Sequence, residues 1–189
     1  MSSRNPYVIL SSRSVYENPW IRVTEHGIQK PRGGNGIYGV VHYKNRAVGV
    51  VPYADGLVWL VGQHRFPLDQ YSWEIPEGGA PMHEDLEACA RRELAEETGL
   101  SAGKLEPMFS MHLSNSVSDE AAYVYLATEL SQGATSWEDT EELTLSKVPV
   151  EELYQRVLAG EITDSMTVAA AFRLKLMLLE GRLSGGQCK

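Results

Sequence analysis

The sequence reads as a layered α/β protein, with strand-like runs on both sides of one central helix and further helices closing the chain. Three observations carry that reading. Period-two alternation and β-branched or aromatic runs recur from Val8 to about Ile75 and again after residue 100. Between them Ala88, Cys89, Ala90, Leu94 and Ala95 are compatible with a helix, which Gly99 stops and apolar Leu100 follows. A length of 189 residues suffices for one good core, or a core plus a small appendage.

Taken in order, Trp20-Ile21-Arg22-Val23-Thr24-Glu25 alternates, Pro31 to Gly36 is a turn, and Ile37 to Tyr43 is β-branched and aromatic. Residues 1–45 are therefore expected to form a small antiparallel sheet ahead of a main domain spanning 46–189. Trp20 reads either as a core residue or as a stacking surface for a nucleobase. Ala47–Pro52 and Leu57–Gln63 flank Asp55-Gly56, a hairpin pair. Arg65 ends the second run, as a guanidinium gripping phosphate or a base edge, or as an exposed strand-end charge. A strand over Tyr71–Ile75 leads into a glycine-rich loop at Gly78-Gly79, where close backbone approach is expected.

After the helix, Lys104–Leu113 and Ala121–Ala127 read as strands around a polar, flexible loop, residues 114–120. An acidic segment, Trp137 to Glu142, precedes a strand over Leu143–Val148. Pro149 introduces an amphipathic helix through Leu158. Thr163 or Asp164 can cap a last helix to about Leu179, with Val168, Phe172, Leu176 and Leu179 as its core face.

Composition excludes several classes. Apolar content of 43% and charge of 22% are ordinary for a globular protein. No run of about 18 apolar residues occurs and the first residues lack a signal-peptide core, so no membrane span is expected. The pair Cys89 and Cys188 suits neither a disulfide nor zinc, and a cytoplasmic setting follows. The net charge is −8, but residues 1–46 carry seven Lys/Arg against Glu17 and Glu25. This is too sparse for a nucleic-acid surface and suits a small anionic ligand held between the basic segment and an acidic site.

That acidic site lies on the central helix. Glu93, Glu96 and Glu97 stand at i, i+3 and i+4, within reach of one ion. At about 100° per residue, Leu86, Cys89, Ala90, Glu93 and Glu97 share roughly one third of the circumference, so the glutamates continue an apolar stripe. Carboxylates crowded there need a compensating cation, and hard oxygen ligands suit magnesium or manganese.

From Gly78 to Leu100 the spacing is Gly78, five residues, Glu84, seven residues, then Arg92-Glu93-Leu94-Ala95-Glu96-Glu97-Thr98-Gly99-Leu100. This resembles the signature box of the Nudix hydrolases, with every fixed position filled, a coincidence expected roughly once in 10⁹ starting positions. The resemblance implies an α/β/α Nudix sandwich and hydrolysis of a nucleoside diphosphate linked to another group. It also implies metal on Glu93, Glu96 and Glu97, Arg92 holding those glutamates, and a loop at Gly78 near metal and phosphate. The flanks, Gln63-His64-Arg65-Phe66-Pro67 and Trp73-Glu74-Ile75-Pro76-Glu77, look like the branch that cleaves ADP-ribose and other nucleoside diphosphate sugars.

For that branch the resemblance implies a homodimer with residues 1–45 reaching the partner's site. Trp20, Arg22, Arg46, Arg65, Glu74, Gly78 and Asn115 are the substrate contacts it suggests. Glu77 lends its carbonyl to a metal, and Glu97 and Arg92 serve catalysis. The base is an acid of the segment beyond the box, among Glu138, Asp139, Glu141 and Glu142, with Glu141 preferred. Where the branch has Ser-Pro-Gly this chain has Ser114-Asn115-Ser116, which favours a broader or different sugar nucleotide. A different Nudix substrate class, or a sensor without turnover, is the alternative; intact glutamates oppose the sensor.

Overall fold

Turn chemistry sets the limits of the first sheet. The computed structural model describes residues 4–133 and 143–183, so Glu138, Asp139, Glu141, Glu142 and Cys188 lie outside the described residues. Strands β1 (Val8–Glu17), β2 (Ile21–Gln29) and β3 (Asn35–Tyr43) form a three-stranded antiparallel sheet in that order. Gly33 and Gly34, at φ 88° and 78°, turn the chain between β2 and β3, where few L side chains would fit. The small antiparallel sheet expected from the sequence is present. Its first strand is exposed along its whole length.

The main sheet joins β4 (Asn45–Ala54), β5 (Leu57–Arg65), β8 (Leu100–His112), β9 (Ala121–Gln132) and β10 (Thr144–Pro149) in the order β10-β5-β4-β9-β8. Strands β6 (Gln70–Glu74) and β7 (Glu77–Pro81) pair with β5 and β4. Asp55 and Gly56 both take positive φ, 51° and 81°, and make the two-residue hairpin between β4 and β5. Beyond that hairpin the two strands diverge, and β4 pairs in parallel with β9.

Alternation along the strands divides the core into two. Val48, Val50, Tyr125 and Ala127 pack under helix α1 (Leu86–Thr98) with Cys89, Ala90 and Leu94. Val51, Tyr53, Val124 and Leu126 pack on the other face with Leu153 of α2 (Val150–Leu158) and with α3 (Ser165–Leu179). The result is an α/β/α sandwich.

Two expectations about the elements are corrected. Gly78 and Gly79 lie in β7, not in a loop, and pair with Val48 and Ala47. The backbone is held there by ladder hydrogen bonds, which the missing side chains leave accessible. The buried face of α3 is Met166, Ala170, Ala171, Leu174 and Met177, whereas Phe172, Leu176 and Leu179 are exposed. That helix is apolar on nearly every side, so periodicity alone does not choose the face.

The segment from Ser114 to Glu120 is anchored to β3. Val41 N–H donates to Val117 O at 2.8 Å, Asp119 N–H to Val41 O at 3.2 Å, and Tyr38 Oη to Ser116 O at 2.7 Å. The Asp119 carboxylate accepts from Tyr43 N–H at 3.0 Å and pairs with His42 Nδ1 at 2.6 Å. It is a strap between the two sheets.

Candidate active site

Helix α1 is fixed at both ends before its chemistry begins. Asp85 caps it by accepting from Glu87 N–H and Ala88 N–H, and Gly99 ends it at φ 70°. Its inward stripe is buried as the spacing implied, and it carries Glu93 and Glu97 down with it, at 8% and 3% exposure. Glu96, one turn round, is half-buried.

Buried carboxylates need partners. Arg92 Nη1 donates to Glu93 Oε1 at 2.8 Å and to Glu96 Oε2 at 2.9 Å, while its Nε and Nη2 reach Glu84 at 3.2 Å. The Glu84 bond, chiefly, raises the guanidinium's pKa, and the same bond lowers that of Glu84. Glu97 Oε2 accepts the backbone N–H of Glu77 at 2.9 Å. A Cβ at Gly78 would overlap the Glu93 carboxylate, so β7 passes directly over the acidic stripe. Burial, with Glu93 second, pushes the neighbouring Cys89 thiol up to about 12, and it is a buried neutral group.

A second arginine-centred cluster stands beside the first. Arg65, at the end of β5, donates through Nε to both oxygens of Glu74 at 3.0 Å, and through Nη2 to Glu74 and to Glu77 Oε1, the latter at 2.8 Å. Glu74, Glu77 and Asp164 each offer a carboxylate oxygen within 4.8 Å of the others. Burial alone would lower the Arg65 pKa, but Glu74, Glu77 and Asp164 hold it up. Burial, then Asp164 and Glu74, raise Glu77 well above the usual carboxylate range, and its Oε2 is buried without a hydrogen-bond partner. Arg65 is thus neither an exposed strand-end charge nor wholly free for a ligand.

Both clusters open on one cavity of about 970 Å³. Of the residues singled out in the sequence, Trp20, Arg46, Arg65, Glu77, Gly78, Arg92, Glu93, Glu96 and Glu97 line it. Trp20, 65% exposed, stands at its edge and is no core residue. Arg46 is turned to the carbonyls of Pro81 and Glu84. Glu74 lies behind the wall with Arg65, while Arg22 and Asn115 are exposed away from the cavity. Glu141 lies outside the described residues.

Sequence reasoning did not single out Glu120, the last residue of the strap, which lines the cavity and has its pKa raised by burial. Its place in a polar loop between two strands was the available signal. It also missed Asp164 as a neighbour of Glu77, and nothing local announces that.

The donor set fits a hard divalent cation. The Glu93 carboxylate faces Gly78, which leaves it room, Glu96 and Glu97 line the same cavity, and the Glu77 oxygen buried without a hydrogen-bond partner marks an unsatisfied acceptor nearby.

The NUDIX domain family model matches residues 43–168. That of the nucleoside diphosphate sugar hydrolase N-terminal domain matches residues 8–41. An ADP-ribose pyrophosphatase of Mycobacterium tuberculosis (strain ATCC 25618 / H37Rv) is 30% identical over 175 residues, covering 88% of this chain and 82% of that protein. One from Bacillus subtilis (strain 168) is 29% identical over 170 residues, covering 88% and 91%. The crystal structure of an ADP compounds hydrolase superposes with a TM-score of 0.84 over 97% of this chain and 100% of that one, at 20% identity, a likeness of fold.

Proposed function

The chain belongs to the Nudix family, and we propose on that premise that it hydrolyses the diphosphate bond of nucleoside diphosphate sugars, of the ADP-ribose, ADP-glucose or GDP-mannose kind. The products are a nucleoside monophosphate and a sugar phosphate. One observation carries this reading: two buried glutamates of the box helix face a cavity large enough for a nucleotide sugar, under a glycine strand.

Glu93, Glu96 and Glu97 would hold magnesium or manganese, with the Glu77 carbonyl beside them; such an ion would supply charge neutralisation for the diphosphate and a more acidic attacking water. Arg92 keeps Glu93 and Glu96 aimed while the site is charged. Trp20, at the edge, offers a face on which a base stacks. Gly78 lets phosphate approach the backbone of β7. Glu141 takes the proton from water.

The exposed apolar residues of the first sheet, Val8, Ile9, Leu10, Val15 and Ile37 among them, support a homodimer in which residues 1–45 cover the partner's site and bring Arg22 to it. The buried free thiol of Cys89 supports a cytoplasmic setting. No helix among the described residues is long and apolar enough to cross a membrane.

The deciding experiment is a phosphatase-coupled panel of ADP-ribose, ADP-glucose, GDP-mannose, UDP-sugars and Ap₄A, with magnesium and with chelator. Turnover of nucleotide sugars that stops on chelation is expected. Cleavage of Ap₄A alone, or of nothing, overturns the assignment. Light scattering at micromolar concentration tests the dimer, and a species of 21.0 kDa contradicts it.

A further inference from the structure

The turn Ile75-Pro76-Glu77 joins β6 to β7 and carries the backbone N–H that Glu97 accepts. It is held at two other points. Val50 N–H of β4 donates to Pro76 O at 2.8 Å. Ile75 N–H donates to Thr167 Oγ1 at 2.9 Å, in the interior, from a residue far along the chain in the first turn of α3.

Thr167 is fully buried and its hydroxyl has no freedom. Its proton goes to Asp164 Oδ2 at 2.8 Å, and the same carboxylate oxygen caps α3 by accepting Thr167 N–H at 2.7 Å. With the proton committed, the hydroxyl oxygen must face Ile75 as an acceptor. Asp164 in turn lies within 4.8 Å of the Glu74 and Glu77 carboxylates. The start of the last helix is therefore bonded to the turn that donates to Glu97.

We propose that Thr167 is a positioning residue for the metal-binding carboxylate Glu97. Its hydroxyl fixes Ile75, and the turn fixes the Glu77 N–H that orients the Glu97 oxygen. Pro76 makes the linkage stiff, because its φ cannot rotate to absorb a displacement at Ile75 before it reaches Glu77. Loss of the hydroxyl leaves a buried N–H unpaired, and the turn relaxes away from the place that suits Glu97. The inference rests on the reading of Glu97 as a metal ligand. Without it Thr167 merely docks a helix.

The test is direct binding of Mn²⁺ to the full chain, followed by electron paramagnetic resonance, for wild type, Thr167→Val, Thr167→Ser and Glu97→Gln, with circular dichroism of each. Wild type should show a Mn²⁺ site that Glu97→Gln abolishes. Thr167→Val should bind Mn²⁺ about tenfold more weakly while folded, and Thr167→Ser within about twofold of wild type, as expected for a partner behind a ligand. Unchanged affinity in Thr167→Val overturns the inference. Equal weakening in both variants also overturns it, by assigning the effect to disturbed packing at this position and not to the hydroxyl, which Thr167→Ser retains. Should Thr167→Val not fold, Thr167→Ala carries the same comparison. A wild type without a Glu97-dependent site removes the metal reading itself, and the inference falls with it.

Discussion

Two arginines face one cavity, each gathering carboxylates, and they differ in how the chain assembles them. Arg92 draws on Glu84, Glu93 and Glu96, which all lie in the box and its helix. Arg65 draws on β6, β7 and the cap of α3, elements that meet only in the finished fold. Both guanidiniums are about one third exposed, so the difference lies in their partners: Glu74 and Glu77 are 3% and 11% exposed, against 24% and 33% for Glu84 and Glu96, with Glu93 the one deeply buried partner of Arg92. Similar chemistry thus serves two ends. On the proposed reading the helical cluster presents charge to a ligand, and the tertiary cluster joins elements that meet only in the fold.

The sharpest break in that contrast is expected at Glu97. Glu97→Gln should lower magnesium-dependent kcat by about 10²–10³-fold with thermal stability nearly unchanged, since only an oxygen donor and its charge are lost. Glu96→Gln should be milder. Retention of normal kcat in Glu97→Gln would show that the helical cluster is structural after all.

Arginine removal should separate the clusters in stability. Arg65→Met leaves Glu74, Glu77 and Asp164 facing one another and should cost about 3–5 kcal/mol, whereas Arg92→Met, at the wetter site, should cost about 1 kcal/mol. Denaturant unfolding measures both, and equal losses would erase the distinction. Adjacent glycines give a smaller version. Gly78→Ala drives a methyl into the Glu93 carboxylate and should cost about 1–3 kcal/mol. Gly79→Ala meets the movable Asn45 amide at 2.9 Å and should be nearly neutral in the same assay.

The strap offers the smallest effect and a pH dependence. Burial alone would raise the Asp119 pKa, but His42 and the Tyr43 N–H bring it below 3.8. A depressed carboxyl stabilises the fold above its unfolded pKa, and the benefit fades as pH falls through the folded value. Asp119→Asn should therefore cost less than about 1 kcal/mol near neutrality, the group being half-exposed, with the difference beginning to shrink near pH 3.8 and vanishing only below the lower folded value. A difference that grows on acidification would contradict the assignment of the pair.

What could be read from sequence follows the same division. The box helix, its inward glutamates, the Asp55-Gly56 hairpin and the first sheet were legible because spacing within a few residues determines them. The Arg65 cluster was not, because Asp164 announces only a helix cap and no local pattern brings it to Glu77. The buried face of α3 was misread because its few polar residues, Arg173 and Lys175 among them, leave apolar residues on most sides and mark out no single face. The strap was expected to be mobile from its serines, yet its backbone groups find partners on β3, which polarity cannot foretell.

The parallel pairing of β4 with β9 sets the order in which the molecule can be made. Ala47 meets Ala122 and Pro52 meets Ala127, so the middle of the sheet cannot close until β9 has left the ribosome. Until then β4 has its hairpin partner β5 and the short β7, and one edge stands open to other chains. Loop closure over so long a separation is entropically slow, which places sheet closure late in folding. A nascent chain arrested before Ala121 would already hold every residue of the box helix and still be a sticky half-sheet.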